Sequence, residues 1–136
     1  GQEASEHKAI EVTPDKISDT LNYCKKWGKL RAVIRTESGA VTELFVHGED
    51  FKQKGDWLSI ENAAFHLHIN WGKVTAAYLS SRNASSYSLH FLDQLGRLVF
   101  RVLLIKEQGE FNPEHLACYQ QAWTELGLTT QDNDND

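Results

Sequence analysis

His66 and His68 sit two residues apart in the run Ala64-Phe65-His66-Leu67-His68-Ile69-Asn70. Alternate residues of an extended strand share a face, about 7 Å apart along it. Two imidazoles so placed can ligate a metal ion, flank a planar cofactor, or decorate a solvated sheet face. On spacing alone the last reading is the simplest. A zinc centre needs three or four ligands. His47 and His90 are further candidates, but no spacing ties them to the pair. Arg31, Arg35, Arg82, Arg97 and Arg101 all fall on or beside stretches read below as strands. Several would share a sheet face with the histidines, where the planar guanidinium fork suits a carboxylate-bearing ligand. For any one arginine, a charged outer face explains as much. Trp57 and Trp71 bracket the histidine strand and offer core or stacking surface. Nucleophile-elbow, P-loop, H-E-x-x-H and dinucleotide patterns are not found. Ser80, Ser81, Ser85, Ser86 and Ser88 cluster at a hairpin and read as turn and edge residues. Cys24 and Cys118 read as small hydrophobes on helices. Two cysteines are too few for a disulfide framework.

The elements that must position these groups follow from periodicity. Thr13 and Pro14 are a cap and a first helical residue, and Ile17, Leu21 and Cys24 follow at helical spacing. Gly28 ends that helix. From Leu30 the period changes to that of strands: 30–35 and 41–47 form a hairpin, with Arg31 and Arg35 on one face. The polar stretch 48–55 is a loop, and 57–60 a short strand. In 64–70, Phe65, Leu67 and Ile69 face one way, and His66, His68 and Asn70 the other. Strands over 74–80, 87–92 and 98–105 complete a meander, turned by Asn83-Ala84-Ser85 and by Asp93-Gln94-Leu95-Gly96. Asn112, Pro113 and Glu114 open a last helix, with Leu116, Tyr119, Trp123 and Leu126 along one face. Trp27-Gly28-Lys29-Leu30 is echoed by Trp71-Gly72-Lys73-Val74, as two similar sheet-forming halves would produce. The organisation expected is a loose arm over 1–12, one domain over 13–128, and a disordered acidic tail over 129–136. Hairpins in sequence without intervening helices mean antiparallel pairing. The fold class is therefore α+β, a mainly antiparallel sheet flanked by N- and C-terminal helices.

The totals narrow the functional classes. The chain has 136 residues, 40% hydrophobic and 24% charged, as a folded domain requires. A formal net charge of -5 disfavours general nucleic-acid binding, which needs clustered positive charge. No apolar run approaches the roughly 20 residues that span a bilayer. The acidic start Gly1-Gln2-Glu3-Ala4-Ser5-Glu6 is unlike a signal peptide. The sparse use of cysteine points to a reducing compartment.

The order of motifs carries a resemblance. Cys24-x-x-Trp27-Gly28 leads into a hairpin, and His68-Ile69 follows. Next come the strand from Val74 to Arg82 and the run Ser88-Leu89-His90-Phe91-Leu92-Asp93-x-x-Gly96-Arg97, then an apolar strand and a helix. From about Cys24 to about Trp123 this resembles the haem-utilisation family of HemS, ChuX and HutX. The resemblance implies antiparallel strands with flanking helices. It also implies haem binding for trafficking, storage or utilisation in the bacterial cytoplasm, and haem breakdown in some two-copy members. Single-copy members tend to pair, so a homodimer is implied. By the same resemblance His68 falls at a haem-contacting histidine, the candidate iron ligand, with His66 as its neighbour. Arg82 falls at a basic position after the next strand. Single-copy members carry a further histidine where this chain has Arg35; an arginine there, beside Arg31, suits a haem propionate. The ligand expected is haem or another tetrapyrrole, and two rivals accompany the binding reading: a dimeric interaction module that kept the fold without the cofactor, and an enzyme that degrades haem or acts on another tetrapyrrole.

Overall fold

A computed structural model describes residues 6–128. Among these residues, nine strands form two antiparallel sheets, with two α-helices packed against them. The strands are β1 (His7–Glu11), β2 (Lys29–Arg35), β3 (Val41–His47), β4 (Phe51–Lys54), β5 (Trp57–Glu61), β6 (His66–Asn70), β7 (Ala76–Arg82), β8 (Ser86–Leu92) and β9 (Leu98–Leu104). The helices are α1 (Thr20–Cys24) and α2 (Pro113–Leu126). The larger sheet has the order β1-β7-β8-β9-β2-β3, and the smaller β4-β5-β6. The expected α+β, antiparallel class is therefore the observed one.

Alternation decides which side of each strand meets the core. On β2, Leu30 and Ala32 are fully buried in the core, whereas Lys29, Arg31 and Arg35 are exposed. On β8, Tyr87, Leu89 and Phe91 turn inward. On β6, Ile69 is buried and Leu67 half-buried, while His66 and His68 are exposed, as the alternation predicts. Leu58, Ile60, Phe51 and Ile69 of the small sheet join Leu30, Leu79, Leu89, Phe100 and Val102 of the large one in a single hydrophobic cluster. Both sheets thus turn one face to a shared interior and the other outward. Turns behave as their residues require: Asn83 and Ala84 take positive φ in the β7–β8 hairpin, and Gly96 does so between β8 and β9.

Helix α2 starts as its sequence predicts. Asn112 Oδ1 accepts from the backbone N–H groups of Glu114 (2.9 Å) and His115 (3.1 Å), with Pro113 at the first position. Tyr119, Ala122 and Leu126 are its buried residues. The Tyr119 hydroxyl shares its proton between the Ser80 and Ser88 carbonyls (2.9 and 2.7 Å), which pins α2 to β7 and β8.

Four expectations need correction. Residues 7–11 are not a loose arm: they form β1, paired along β7 from His7↔Arg82 to Glu11↔Tyr78. Val12 is fully buried beyond it, and the backbone N–H of Leu128 donates to Glu11 at 2.6 Å. The N-terminal helix is not continuous. A 3-10 turn, Pro14–Lys16, precedes a five-residue α1, and the Thr13 side chain makes no capping bond. The loop at 48–55 contains a 3-10 turn and β4, whose Phe51 is buried opposite Ile60. Helix α1 ends at Cys24 with Lys25 as its cap, so Gly28 does not end it; at φ 71 it turns the chain into β2 instead. Gly48 is needed for closeness: a Cβ there would lie 1.8 Å from the Cys24 carbonyl oxygen. Gly48 N–H in turn donates to the Gly28 carbonyl at 3.0 Å. The two Trp-Gly-Lys echoes differ locally, the second being a 3-10 turn, Trp71–Lys73. The acidic tail, 129–136, lies outside the described residues.

Candidate functional site

The candidate residues divide between the two sheets. His66 and His68 project from the outer face of β6. Across the hairpin, Glu61 pairs with His66, and Ser59 with His68. Register thus places four polar side chains on one outward face, beside Trp57, which is 52% exposed. The connecting loop is tightly held. Asn62 Oδ1 accepts from Ala64 N–H (2.7 Å) and Phe65 N–H (3.0 Å), and Asn62 N–H donates to the Phe65 carbonyl (3.1 Å). Ser59 Oγ and His68 Nδ1 are 2.9 Å apart, and His68 Nε2 lies 4.0 Å from Glu61 Oε2. The two imidazoles meet edge-on at 6.2 Å between centroids.

The arginines are elsewhere. Arg31 and Arg35 lie on β2 and Arg82 at the end of β7, all in the six-stranded sheet. Directly opposed residues share a face, so the register assigns Arg31, Arg35, Arg82 and Arg101 to one outer surface. The expectation that the arginines share a sheet face with His66 and His68 is therefore corrected: they share one with His90. Alternation had placed each residue on the correct side of its own strand, but could not say which strands pair. No hydrogen bond or ion pair among the described residues joins these arginines to His66 or His68. Arg31 instead reaches Glu43 at 3.6 Å. Arg97 pairs with Asp93 and Glu37, bracing a turn.

His90 has an environment that its position in the sequence did not reveal. The register Tyr78↔His90↔Arg101↔Val33↔Glu43 runs across five strands. Tyr78 stacks on His90 at 4.3 Å and 8° between planes. His90 Nε2 lies 2.8 Å from Ser88 Oγ and 3.1 Å from Ser80 Oγ, and these hydroxyls are 2.7 Å apart. Burial lowers the His90 pKa to about 4, with the Arg101 charge and His7 adding to the effect. At neutral pH the ring is uncharged and its Nε2 is engaged. Arg101 Nε is buried without a hydrogen-bond partner among the described residues. His47 lies on β3 of the six-stranded sheet, not on the sheet that carries the β6 pair.

Two shallow grooves of about 330 and 360 Å³ flank α2 and contain none of the candidate histidines or arginines. A smaller hollow of about 120 Å³, lined by Asp50, Lys52, Ser59 and Glu61, adjoins the β6 histidines. Cys24 is fully buried, which pushes its thiol pKa well up and agrees with a packing role. Among the described residues no helix is long and apolar enough to cross a membrane.

Two antiparallel sheets over a common core, with a terminal helix packed on them, define an α+β architecture. The sequence matches the family Haem utilisation ChuX/HutX over residues 10–122, and the chain belongs to that family. Solved structures share its fold. A protein of Agrobacterium tumefaciens is 18% identical, with 87% of this chain and 71% of that chain covered, at a TM-score of 0.71. The heme-binding protein ChuX is 14% identical, with 86% and 76% covered, at 0.72. Holo-PhuS, a heme-binding protein from Pseudomonas aeruginosa, is 12% identical, with 88% and 35% covered, at 0.68. This chain therefore spans about a third of PhuS. No curated protein matches the chain by sequence.

Proposed function

We propose that the protein binds haem for intracellular trafficking, storage or utilisation, with His68 as the iron ligand. Membership of the haem-utilisation family supports the cofactor. The observation that carries the site is the pairing of His68 Nδ1 with Ser59 Oγ. If the imidazole donates its Nδ1 proton to the hydroxyl, Nε2 keeps a lone pair and points outward. A hydrogen-bond partner on the far nitrogen is what metal-bound histidines usually have. His90, the other well-placed imidazole, has its Nε2 occupied by two serines.

The donor set suits haem in kind: an imidazole for iron, Trp57 beside it for the ring plane, and Arg31, Arg35 and Arg82 for carboxylates. Bound haem would supply the iron; the residues of this chain supply ligation, apolar cover and charge. The histidines and arginines stand on separate sheets, and a flat outer face covers only one side of a ligand. Small-molecule sites bury most of their ligand. A homodimer resolves both points, because the arginine-bearing sheet of one copy can then close over the histidine sheet of the other. Val41 and Phe45, 47% and 57% exposed on edge strand β3, supply apolar surface for that contact.

The reading is tested by titrating haem while following tryptophan fluorescence. Trp57, beside His68, is expected to be quenched, with saturation at one haem per chain. Arg35→Ala should weaken binding several-fold through the lost propionate contact. A linear, unsaturated response from the wild type would contradict the proposal.

A further inference from the structure

Glu61, His66 and His68 are the one trio of potential metal ligands that converges among the described residues. One ligand atom from each lies within 4.8 Å of the others. From this geometry we infer a second capability: the outer face of the β5–β6 hairpin binds a divalent first-row ion, zinc in particular, through Glu61, His66 and His68.

Two imidazoles and one carboxylate are the ligand set of open zinc sites, which leave a fourth position for water. The set comes from a paired hairpin, not from a mobile loop. Glu61 faces His66 directly, and His68 is its diagonal neighbour on the same side. The Asn62 bonds fix the connecting loop and hence that register. Tetrahedral zinc with bonds near 2.1 Å sets its ligand atoms about 3.4 Å apart. The 4.0 Å from His68 Nε2 to Glu61 Oε2 is close to that value. Side-chain rotation closes the remainder, because all three residues are exposed. Ser59 stands behind His68 as an orienting partner of its other nitrogen. The site uses His66 and Glu61, which haem ligation by His68 does not need. Because His68 belongs to both sites, zinc and haem should exclude one another.

The test is zinc titration of untagged protein against a chromophoric chelator, at pH 7.5 and at pH 5.5. One zinc per chain is expected at pH 7.5, with much weaker binding at pH 5.5, where protons compete for the imidazoles. His66→Ala, His68→Ala and Glu61→Gln should each lower affinity at least tenfold, and His47→Ala should not. Ser59→Ala should lower it by about tenfold, the scale of a lost orienting partner. Absence of stoichiometric zinc, or binding indifferent to both His66→Ala and Glu61→Gln, would overturn the inference. Haem uptake separates this outcome from the proposal above, since Arg35→Ala, on the other sheet, should weaken haem uptake and leave zinc affinity unchanged.

Discussion

His90 carries a half-buried neutral imidazole on a sheet face that also bears arginines, and its titration makes a testable mark on stability. In the folded protein its pKa is about 4, against an ordinary 6.5. Between those values the unfolded chain binds more protons than the folded one. The His90 contribution is therefore complete above pH 6.5 and is lost progressively as pH falls towards 4. His90→Phe keeps a ring against Tyr78 and removes the proton. Urea unfolding at pH 7, 5.5 and 4.5 should show a shallower loss of stability in the variant than in the wild type. Equal slopes would mean that His90 is not the group responsible. The seryl hydroxyls of Ser80 and Ser88 keep each other as partners in the variant, at 2.7 Å, so the loss of the imidazole strands neither.

At the scale of elements, β5 and β6 hold the candidate site because their inner residues are anchored. Leu58 is fully buried and Ile69 is 6% exposed, and the two are paired across the strands. Leu58→Ala should cost about 2–5 kcal/mol, as truncation of a buried leucine does. Leu67→Ala should cost distinctly less, since Leu67 is only half-buried. A chemical-denaturation series reads both, and a Leu67→Ala cost below about 0.5 kcal/mol, the range of surface substitutions, would show the facing of β6 to be inverted. For α2, Asn112→Ala should cost about 0.5–2 kcal/mol through the loss of two capping bonds. That cap was legible because Asn112-Pro113-Glu114 is a local signal, and so was the alternation of 64–70. The strands β1 and β4 were not. Their inward residues are few, Ile10 in one and Phe51 in the other, and charged neighbours mask the period. What makes β1 a strand is its pairing with β7, which is some 70 residues away in sequence. The candidate site divides in the same way. The His66–His68 pair was visible in spacing. Glu61 and Ser59 joined it only once strand register was known, and the burial of His90 depended on neighbours from three other strands.

For the molecule as a whole, the central proposal needs two copies. The six-stranded sheet ends at β1 and β3, and Phe45 on β3 stands 57% exposed between Lys29 and Arg31, which approach its ring to 5.1 and 5.9 Å. Large apolar side chains on a sheet edge favour association. Light scattering at micromolar concentration should give about twice the 15.5 kDa chain mass. Phe45→Glu should shift the protein towards monomer and weaken haem uptake with it. A wild type that runs as a monomer, with or without haem, would remove the dimeric site. The most direct test remains the iron ligand itself. Haem should be added to the wild type and to His68→Ala, and the Soret absorption recorded through each titration. Imidazole ligation governs the position of the band, whereas apolar contact contributes much of the affinity. The wild type should give a saturable, displaced Soret band. His68→Ala should shift that band strongly while retaining weaker binding, and His66→Ala should change it little. Identical spectra for the wild type and His68→Ala, or no haem uptake by the wild type, would contradict the account.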